Sequence, residues 1–347
     1  MSARTRGPSD VLSALRENVH SPSSPALSGE ALSNRLGVSR AQIWKHVGTL
    51  RTRGYEIEGE PGGGYRLVGS PDRLYSDEIM PELPTKWLAQ KIEHFDETES
   101  TNLLAFDLGR DAAPAGTTVI AESQTAGRGR LGRSFYSPPY KNLYTSILLR
   151  PEGSISDAPT LILAAAVAVA ETVAEVLDDE SAVEIKWPND VMIHRRKTSG
   201  ILMESSAEGT RIAFAVLGIG VNLNVDRETF PDEFRHLATS LASELGHPVD
   251  RVAFTRRLFV HLERQLDLHG SEGFEAIRPR FESFFRMRGE SIGVEEMAGK
   301  RIACRARAIA ANGALEVELL EGPRAGEITT VMAGDVTLAK PTRKERC

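Results

Sequence analysis

Three glycines within Gly127–Gly132 limit the fold of this 347-residue chain more than any other feature of its sequence. Their G-x-G-x-x-G spacing matches the dinucleotide-binding fingerprint, which requires a helix to open at the glycines and run back towards the next strand. Here Pro138 and Pro139 follow, and the next predicted strand begins at Asn142, only about ten positions after the last glycine. No helix fits this interval, so the sequence excludes a doubly wound dinucleotide-binding fold.

Residues 89–286 group their predicted strands and helices into blocks instead of alternating them. Predicted helices cover 101–109, 157–178, 250–268 and 271–285, and predicted strands cover 117–122, 142–150, 183–187, 191–194, 201–205 and 212–225. Short strands follow at 291–294, 301–309, 314–320 and 328–331, with Asn312-Gly313 as a hairpin turn. The pattern predicts an α+β fold with a mixed central sheet and a small C-terminal β-barrel.

Residues 28–67 have the pattern of a helix-turn-helix followed by a two-stranded wing. Ser28 and Ser39 are suited to cap two helices, and Gly37 separates them. A further short amphipathic helix is predicted over 11–19. Alternating residues on either side of Gly62–Gly64 predict a β-hairpin. The segment is therefore predicted to be a winged helix-turn-helix domain.

The N-terminal part of the chain is basic and the remainder is acidic. Residues 1–69 contain nine Lys and Arg against six Asp and Glu, a net charge of +3, and the remainder has 33 against 42, or −9. The outward face of the second helix carries Arg40, Lys45, Arg51 and Arg53 without an acid, which suits phosphate contact. We predict binding to DNA, against the alternative of a winged fold that serves protein contacts only. The predicted DNA contacts are Ser39, Arg40, Gln42, Lys45 and His46.

Three prolines, Pro71, Pro81 and Pro84, mark a linker in which regular elements are not expected to persist. The predicted boundaries are 1–68 for the winged domain, 69–88 for the linker, 89–286 for a catalytic domain and 287–347 for a C-terminal barrel. The cysteines Cys304 and Cys347 stand in no pairing or metal-ligand spacing, so we predict neither a disulfide nor a zinc site.

The longest apolar run, Leu161–Ala170, is far shorter than the roughly 20 residues that cross a bilayer. No apolar leader opens the chain. We therefore expect a cytoplasmic protein that has no membrane partner.

The loop over 127–133 presents Arg128, Arg130 and Arg133 between glycines, which suits a clamp around a small anion. A solvated basic surface loop is the alternative. In Lys186–Asp190, Pro188 is expected to break the strand and direct the neighbouring polar side chains to one place, although for Asn-Asp after a proline alone a structural turn is the simpler explanation.

Lys197 precedes an apolar strand, where it could contact a ligand or merely lie at a solvated hairpin tip. The glycines of Gly218–Asn222 would allow backbone to approach a ligand, or mark a bulge.

Four motifs in order give a family resemblance: Glu99–Asn102, Gln124–Gly132, Lys186–Asp190 and Lys197–Leu202. Together with the winged N-terminus they resemble the bifunctional biotin–protein ligases, also called biotin operon repressors, over nearly the whole chain. The resemblance implies a winged helix-turn-helix, a central α+β ligase domain and a C-terminal SH3-like barrel.

The resemblance also implies an activity and partners. Biotin and ATP, with Mg²⁺, would form biotinyl-5′-adenylate and pyrophosphate, and the acyl group would pass to a lysine of a biotin carrier protein. Both reactants are anions, so the main task is to neutralise them and hold them together. The adenylate-bound protein would form a homodimer on operator DNA, because one helix-turn-helix usually needs a two-fold partner.

Site residues follow by position in the four motifs. Catalytic roles are implied for Arg128, Arg130, Lys186 and Lys197. Biotin contacts are implied for Ser100, Thr101, Asn102, Gln124, Arg128, Gly129, Arg130 and Lys197. Adenylate contacts are implied for Gly127, Gly132, Phe135, Asn189, Asp190 and Asn222, with Asp190 also the metal ligand.

The chain departs from the family pattern at two places. Phe135 takes the place of a tryptophan expected to stack on adenine, and Thr198 and Ser199 stand where small or apolar residues are more familiar. Two rival functions stay open. One is a regulator that senses an acyl-adenylate without transferring it, and the other is a lipoate or octanoate ligase.

Overall fold

The chain divides into two compact units, residues 1–78 and 79–347, in a computed structural model. The structure describes residues 6–18, 26–60, 63–152, 157–209, 211–295, 301–332 and 335–338. Predictions made for Val19, Gly62 and Cys347 lie outside these ranges.

The first unit contains the predicted helix-turn-helix and wing. Its elements are α1 (Pro8–Glu17), α2 (Gly29–Leu36), α3 (Arg40–Thr52), β1 (Glu56–Glu60) and β2 (Gly64–Gly69). The Ser28 hydroxyl accepts from Ala31 N at 3.0 Å to start α2, and Gly37 ends it at φ +65°. Ser39 and Gln42 form a capping box at the start of α3, so both side chains bind each other's backbone there.

Two of the four cations predicted for the outward face of α3 have partners inside the first unit. Arg51 donates through Nε and Nη2 to the Ile57 carbonyl, at 3.0 and 2.7 Å, because β1 runs back beside the end of the helix. Arg53 lies 3.3 Å from Asp77 and over the Tyr75 ring. All four predicted cations are exposed, so the predicted outward face is confirmed, although Arg51 and Arg53 also bond within the first unit.

The segment predicted to lack regular structure contains a short helix, α4 (Ser76–Ile79), and a 3₁₀ turn at Met80–Glu82. The Tyr55 hydroxyl donates to the Glu78 carboxylate at 2.6 Å, and Arg16 pairs with the same carboxylate. These tertiary bonds stabilise a short helix between Pro71 and Pro81, which corrects the linker prediction at this point.

The second unit is built on a mixed sheet. Its first elements are β3 (Lys91–Phe95), α5 (Thr101–Arg110), β4 (Thr117–Ala121), β5 (Leu143–Leu149), α6 (Ala158–Leu177), β6 (Val183–Lys186), β7 (Asp190–Ile193), β8 (Arg196–Glu208) and β9 (Arg211–Val221). Three helices follow, α7 (Leu241–Leu245), α8 (Arg251–Glu272) and α9 (Phe274–Phe284). In the described residues the strand order is β3-β4-β5-β9-β8-β7-β6, with β3 parallel to β4 and the other pairs antiparallel. The predicted α+β class with a mixed central sheet is confirmed.

Helix α6 fills the core beneath this sheet. It is apolar over most of its surface and packs against β6–β8, α8 and α9, with Asp157 before its first residue and Asp178 in a left-handed cap at its end. By length and composition alone its 20 residues could also cross a membrane, but 72% of its most apolar window is buried inside the protein. Its burial is that of a core helix.

The C-terminal part is an antiparallel sheet. Its strands are β10 (Ser291–Glu295), β11 (Arg301–Ile309), β12 (Leu315–Leu319), β13 (Ile328–Val331) and β14 (Asp335–Leu338), in the order β13-β12-β11-β10-β14 within the described residues. The turn between β11 and β12 places Gly313 at φ +80°, as its sequence predicts. Trp187, at the end of β6, donates through Nε1 to the Gly313 carbonyl at 3.0 Å.

A charged cluster on α6, α8 and α9 makes stability depend on pH. The hydrogen bond to Glu171 raises the pKa of His261 above its ordinary 6.5. Burial raises the pKa of Glu171, but hydrogen bonds from His261, Arg280 and Gln265 outweigh it and lower that pKa to about 2. The histidine's contribution is complete below about pH 6.5 and falls as pH rises through its folded pKa, whereas the glutamate's falls as pH drops from about 4.5 towards 2.

We expect the free energy of unfolding to fall between about pH 6 and about pH 9, with His261→Gln removing part of that slope. The measurement is urea denaturation at both pH values. His236→Gln, which changes an exposed histidine, is the matched control. Equal slopes in the wild type and His261→Gln would contradict the assignment.

Candidate active site

Glycines form the floor of a cleft on the face of the central sheet that α5 covers. Gly200 on β8 lies directly opposite Gly220 on β9, and Gly218 is two residues along the same face. A methyl group at Gly220 would lie 2.6 Å from the Phe135 ring, and one at Gly218 would overlap the Asn102 side chain. Side chains can therefore lie directly on the backbone of the sheet.

Polar groups at the start of α5 make one wall. The Gln124 carboxamide oxygen accepts from Thr101 N at 2.9 Å, and its nitrogen donates to the Ser137 hydroxyl at 3.1 Å. Ser146 Oγ lies 2.8 Å from Thr101 Oγ1 and 2.6 Å from Asn102 Oδ1. The wall is a hydrogen-bonded set with fixed orientation, which suits recognition of a polar ring system.

Three cations lie at the cleft, each beside an acceptor from β8, from the turn between β6 and β7, or from the first residue of β7. Arg128 Nη1 lies 3.3 Å from Glu204 Oε1, and Arg130 Nη1 donates to Asn189 Oδ1 at 3.0 Å. Lys197 Nζ lies 2.6 Å from Asp190 Oδ1. The predicted concentration of positive charge is present, and an anion entering the cleft would exchange with these internal acceptors.

The loop that carries the arginines is shaped by its own backbone. Phe135 N donates to the Gly127 carbonyl at 2.8 Å and Gly129 N to the Arg133 carbonyl at 2.7 Å. Between these bonds Leu131 has φ +56° and 61% of its surface exposed. The loop therefore folds back over the cleft, with Arg128 and Arg130 on its wall.

Most of the predicted site residues meet in this cleft. Those on its wall are Ser100, Thr101, Asn102, Gln124, Arg128, Gly129, Arg130, Phe135, Asn189 and Lys197. Within the described part of the chain, the wall does not include Gly127, Gly132, Lys186, Asp190 or Asn222.

Four of these five residues have a clear place in the structure. Lys186 and Asp190 pair across the ends of β6 and β7, and Asp190 reaches the cleft through Lys197. Asn222 is 5% exposed and donates to the Thr239 carbonyl at 3.1 Å, so it fastens the end of β9. Gly127 touches the wall through its bond to Phe135. The ligand contacts implied for these residues stay predictions.

Sequence reasoning missed Glu204 and Ser146. Glu204 accepts from Asn102 Nδ2 at 2.9 Å and also meets Arg128, so one carboxylate joins the polar wall to the loop. The available signal was the alternation of β8, which places Glu204 on the same face as Gly200. Without strand register, that face could not be assigned to the cleft.

The remaining chemistry of the cleft is aromatic and hydroxylic. The Phe135 ring lies over Gly220 and edge-to-face with Tyr144, centroids 6.3 Å apart. Burial raises the pKa of Tyr144, whose hydroxyl donates to the Pro138 carbonyl at 3.0 Å. Among the described residues no group of three or more His, Cys, Asp or Glu could hold a metal ion. The arrangement can orient and neutralise anions beside an aromatic face.

Comparisons with known proteins agree with this geometry. The model of the biotin/lipoate A/B protein ligase family matches residues 94–222, and that of an HTH domain matches residues 19–66. The bifunctional ligase/repressor BirA of Bacillus subtilis is 35% identical over 312 residues, which cover 90% of this chain and 94% of that protein. The protein of the same name in Escherichia coli is 31% identical, with coverage of 90% and 92%.

A solved structure shares the fold of a large part of the chain. The biotin protein ligase from Aquifex aeolicus, in complex with biotin and ATP, superposes with a TM-score of 0.61 and 26% identity. The match covers 72% of this chain and 99% of that one.

Proposed function

The chain belongs to the family of bifunctional ligase/repressors that carry a biotin/lipoate A/B protein ligase domain, and on that premise we propose that it activates biotin with ATP and transfers it to a carrier lysine. This membership confirms the resemblance inferred from the four motifs. The observation that carries the proposal is the convergence of Arg128, Arg130 and Lys197 on a glycine-floored cleft beside an oriented amide and hydroxyl wall.

Activation joins two anions, and the cleft supplies what they lack. The carboxylate of biotin attacks the α-phosphorus of ATP, the bond to the bridging oxygen breaks, and pyrophosphate leaves. Cations placed before the reaction lower the repulsion between carboxylate and phosphate and stabilise the charge that accumulates between them. Those cations are Arg128, Arg130 and Lys197. When substrate binds, each leaves its internal acceptor (Glu204, Asn189 and Asp190, respectively) and contacts substrate oxygens instead.

Biotin and the adenylate would occupy different parts of the same cleft. Thr101, Asn102 and Gln124 would bond the ring system of biotin, and Phe135 would offer its face to adenine. The amine of the carrier lysine then attacks the acyl carbon, and AMP leaves as the amide forms. Holding the adenylate under the loop protects it from water until the carrier arrives.

Mg²⁺ fits this site as a companion of the nucleotide. Asp190 would supply one hard carboxylate ligand beside the cleft, and Mg²⁺ is commonly held by one or two carboxylates together with substrate phosphates. When bound, the ion would neutralise phosphate charge. Asp190 would have to release Lys197 in exchange, which would free the ammonium for substrate.

The test uses purified full-length protein with biotin, ATP and Mg²⁺, and a biotin carrier domain as acceptor. We expect pyrophosphate release on adding biotin and labelled biotin on the carrier. Lipoate in excess should compete poorly, because the wall is polar. Absence of pyrophosphate release would refute the proposal, and effective competition by lipoate would favour the lipoate ligase alternative.

We further propose that the first unit is a biotin-responsive repressor domain acting as a homodimer on operator DNA. Its support is the helix-turn-helix match and the exposed cations of α3. We also propose that the C-terminal sheet closes into an SH3-like barrel and that the protein is cytoplasmic. Operator affinity that does not change with biotin and ATP would exclude the biotin response.

Gly218→Ala is expected to weaken biotin binding about tenfold or more, because the new methyl group displaces Asn102 from its bonds to Ser146 and Glu204. Isothermal titration with biotin measures this loss. Gly270→Ala is the matched control, since a methyl group there meets nothing within 4 Å. Unchanged biotin affinity in Gly218→Ala would remove Asn102 from the binding wall.

A further inference from the structure

The most exposed large apolar side chain described in the first unit is on α3. Trp44 has 68% of its surface exposed, whereas Ile43, Val47 and Leu50 of the same helix are fully buried. The indole takes no part in the core of its own unit. Tryptophan exposed to this extent is enriched where proteins contact partners.

The residues around Trp44 indicate the kind of partner. The sequence of α3 contains no acidic residue, and the exposed Arg40 and Lys45 lie four residues before and one after the indole. Charge complementarity therefore favours a polyanion over a protein or a lipid tail.

The residues beside Trp44 on the exposed side of α3 have small side chains. Ala41 and Gly48 lie three residues before and four residues after it on the exposed side, and a methyl group at Gly48 would meet nothing within 4 Å. Because the flanking residues are small, the protruding indole can reach the floor of a groove before the rest of the helix surface meets its walls. The major groove of B-DNA admits an α-helix of this width.

The polar candidates at the start of α3 are less available than sequence suggests. Ser39 Oγ accepts from Gln42 N at 3.2 Å, and the Gln42 carboxamide oxygen accepts from Ser39 N at 2.9 Å. Bidentate reading of a base by Gln42 would require breaking this capping box. Contact with a base through the Trp44 indole leaves this capping box intact.

We infer that Trp44 determines operator specificity by apolar contact with the 5-methyl group of a thymine in the major groove. Thymine is the one base that presents a methyl group there, and apolar side chains recognise it. Arg40 and Lys45 then contribute affinity through phosphates, without sequence information. The inference rests on the proposed repressor function and adds the chemical basis of its base preference.

The experiment begins with selection of binding sites from a random duplex library by the full-length protein with biotin, ATP and Mg²⁺. Each thymine of the selected site is then replaced by uracil, which removes the methyl group alone. At one position per half-site we expect a loss of about 5- to 20-fold in wild-type affinity. Trp44→Ala should bind the thymine duplex about as weakly as the wild type binds the uracil duplex, and should not distinguish the two.

Two variants separate this effect from general weakening. Trp44→Leu retains apolar surface and should keep part of the preference for thymine, whereas Lys45→Ala should bind both duplexes more weakly and keep the full preference. Because Trp44 is exposed, thermal unfolding of Trp44→Ala should match that of the wild type.

The outcomes are distinct. If the wild type selects no sequence, the repressor proposal fails and this inference fails with it. If a site is selected but uracil has no effect, or Trp44→Ala still prefers thymine, the inference alone is overturned. Loss of self-association in Trp44→Ala with an unchanged thymine preference would assign the indole to a protein contact instead.

Discussion

Lys197→Ala should lower the rate of adenylate formation by about 100- to 1000-fold, the usual loss when a preorganised charge is removed from a reacting centre. The backbone of Lys197 is fixed on both sides, by its N–H donating to the Leu237 carbonyl at 2.7 Å and its carbonyl accepting from Thr239 N at 2.9 Å. The ammonium therefore extends from a rigid base into the cleft. Biotin-dependent pyrophosphate release in single turnovers measures the step.

Lys186→Ala is the informative comparison for this variant. The family resemblance implies a catalytic role for Lys186, but its side chain does not reach the described wall of the cleft. We expect its loss to reduce the rate about tenfold or less, acting through the facing Asp190. Equal losses in both variants would place Lys186 among the catalytic residues, and a Lys197→Ala rate within about threefold of wild type would contradict the role of Lys197.

Arg251→Met should lower the free energy of unfolding of the second unit by about 3–5 kcal/mol. Arg251 and Glu122 both have fully buried side chains, and Arg251 Nη1 lies 2.8 Å from Glu122 Oε2 and 3.2 Å from the Asn142 carbonyl. Removing the guanidinium leaves a carboxylate buried without its closest cation. Urea denaturation followed by circular dichroism measures the change.

The double variant Arg251→Met with Glu122→Gln should recover a large part of this loss, because no buried charge is then left uncompensated. Arg324→Ala is the matched surface control: Arg324 and its partner Glu327 have side chains 61% and 54% exposed, and we expect a change below about 1 kcal/mol. If Arg251→Met lowered the free energy of unfolding no more than the control does, the buried pair would contribute little to stability.

Sequence predicted the elements whose ends have a local signal. Asp157 and Asp178 bound the long core helix as expected, and Ser39 begins α3. The strand β3 escaped prediction because it is a half-exposed edge strand, and its one neighbour among the described strands, β4, lies beyond an intervening helix. Its alternation is too weak without that partner.

The site shows the same division between local and long-range information. The motifs indicated which segments carry the charges, and ten of the predicted residues share one cleft. The floor could not be predicted, since it depends on Gly200 facing Gly220 across two strands. Nor could the burial of Asn222, whose amide binds a carbonyl in a later segment of the chain.

The hydrogen bond from Trp187 to Gly313 bears on how such proteins can be recombined. The indole is 2% exposed, and it immediately precedes the turn that supplies Asn189 to Arg130. Exchanging the C-terminal sheets of two relatives would therefore change the residues that the indole packs against. The change would reach the loop over the cleft through Asn189, which bonds Arg130. A chimera joined after α9 should keep its activity when the donor sheet brings a β11–β12 turn that can accept the Trp187 hydrogen bond. The turn and the indole therefore have to be exchanged together.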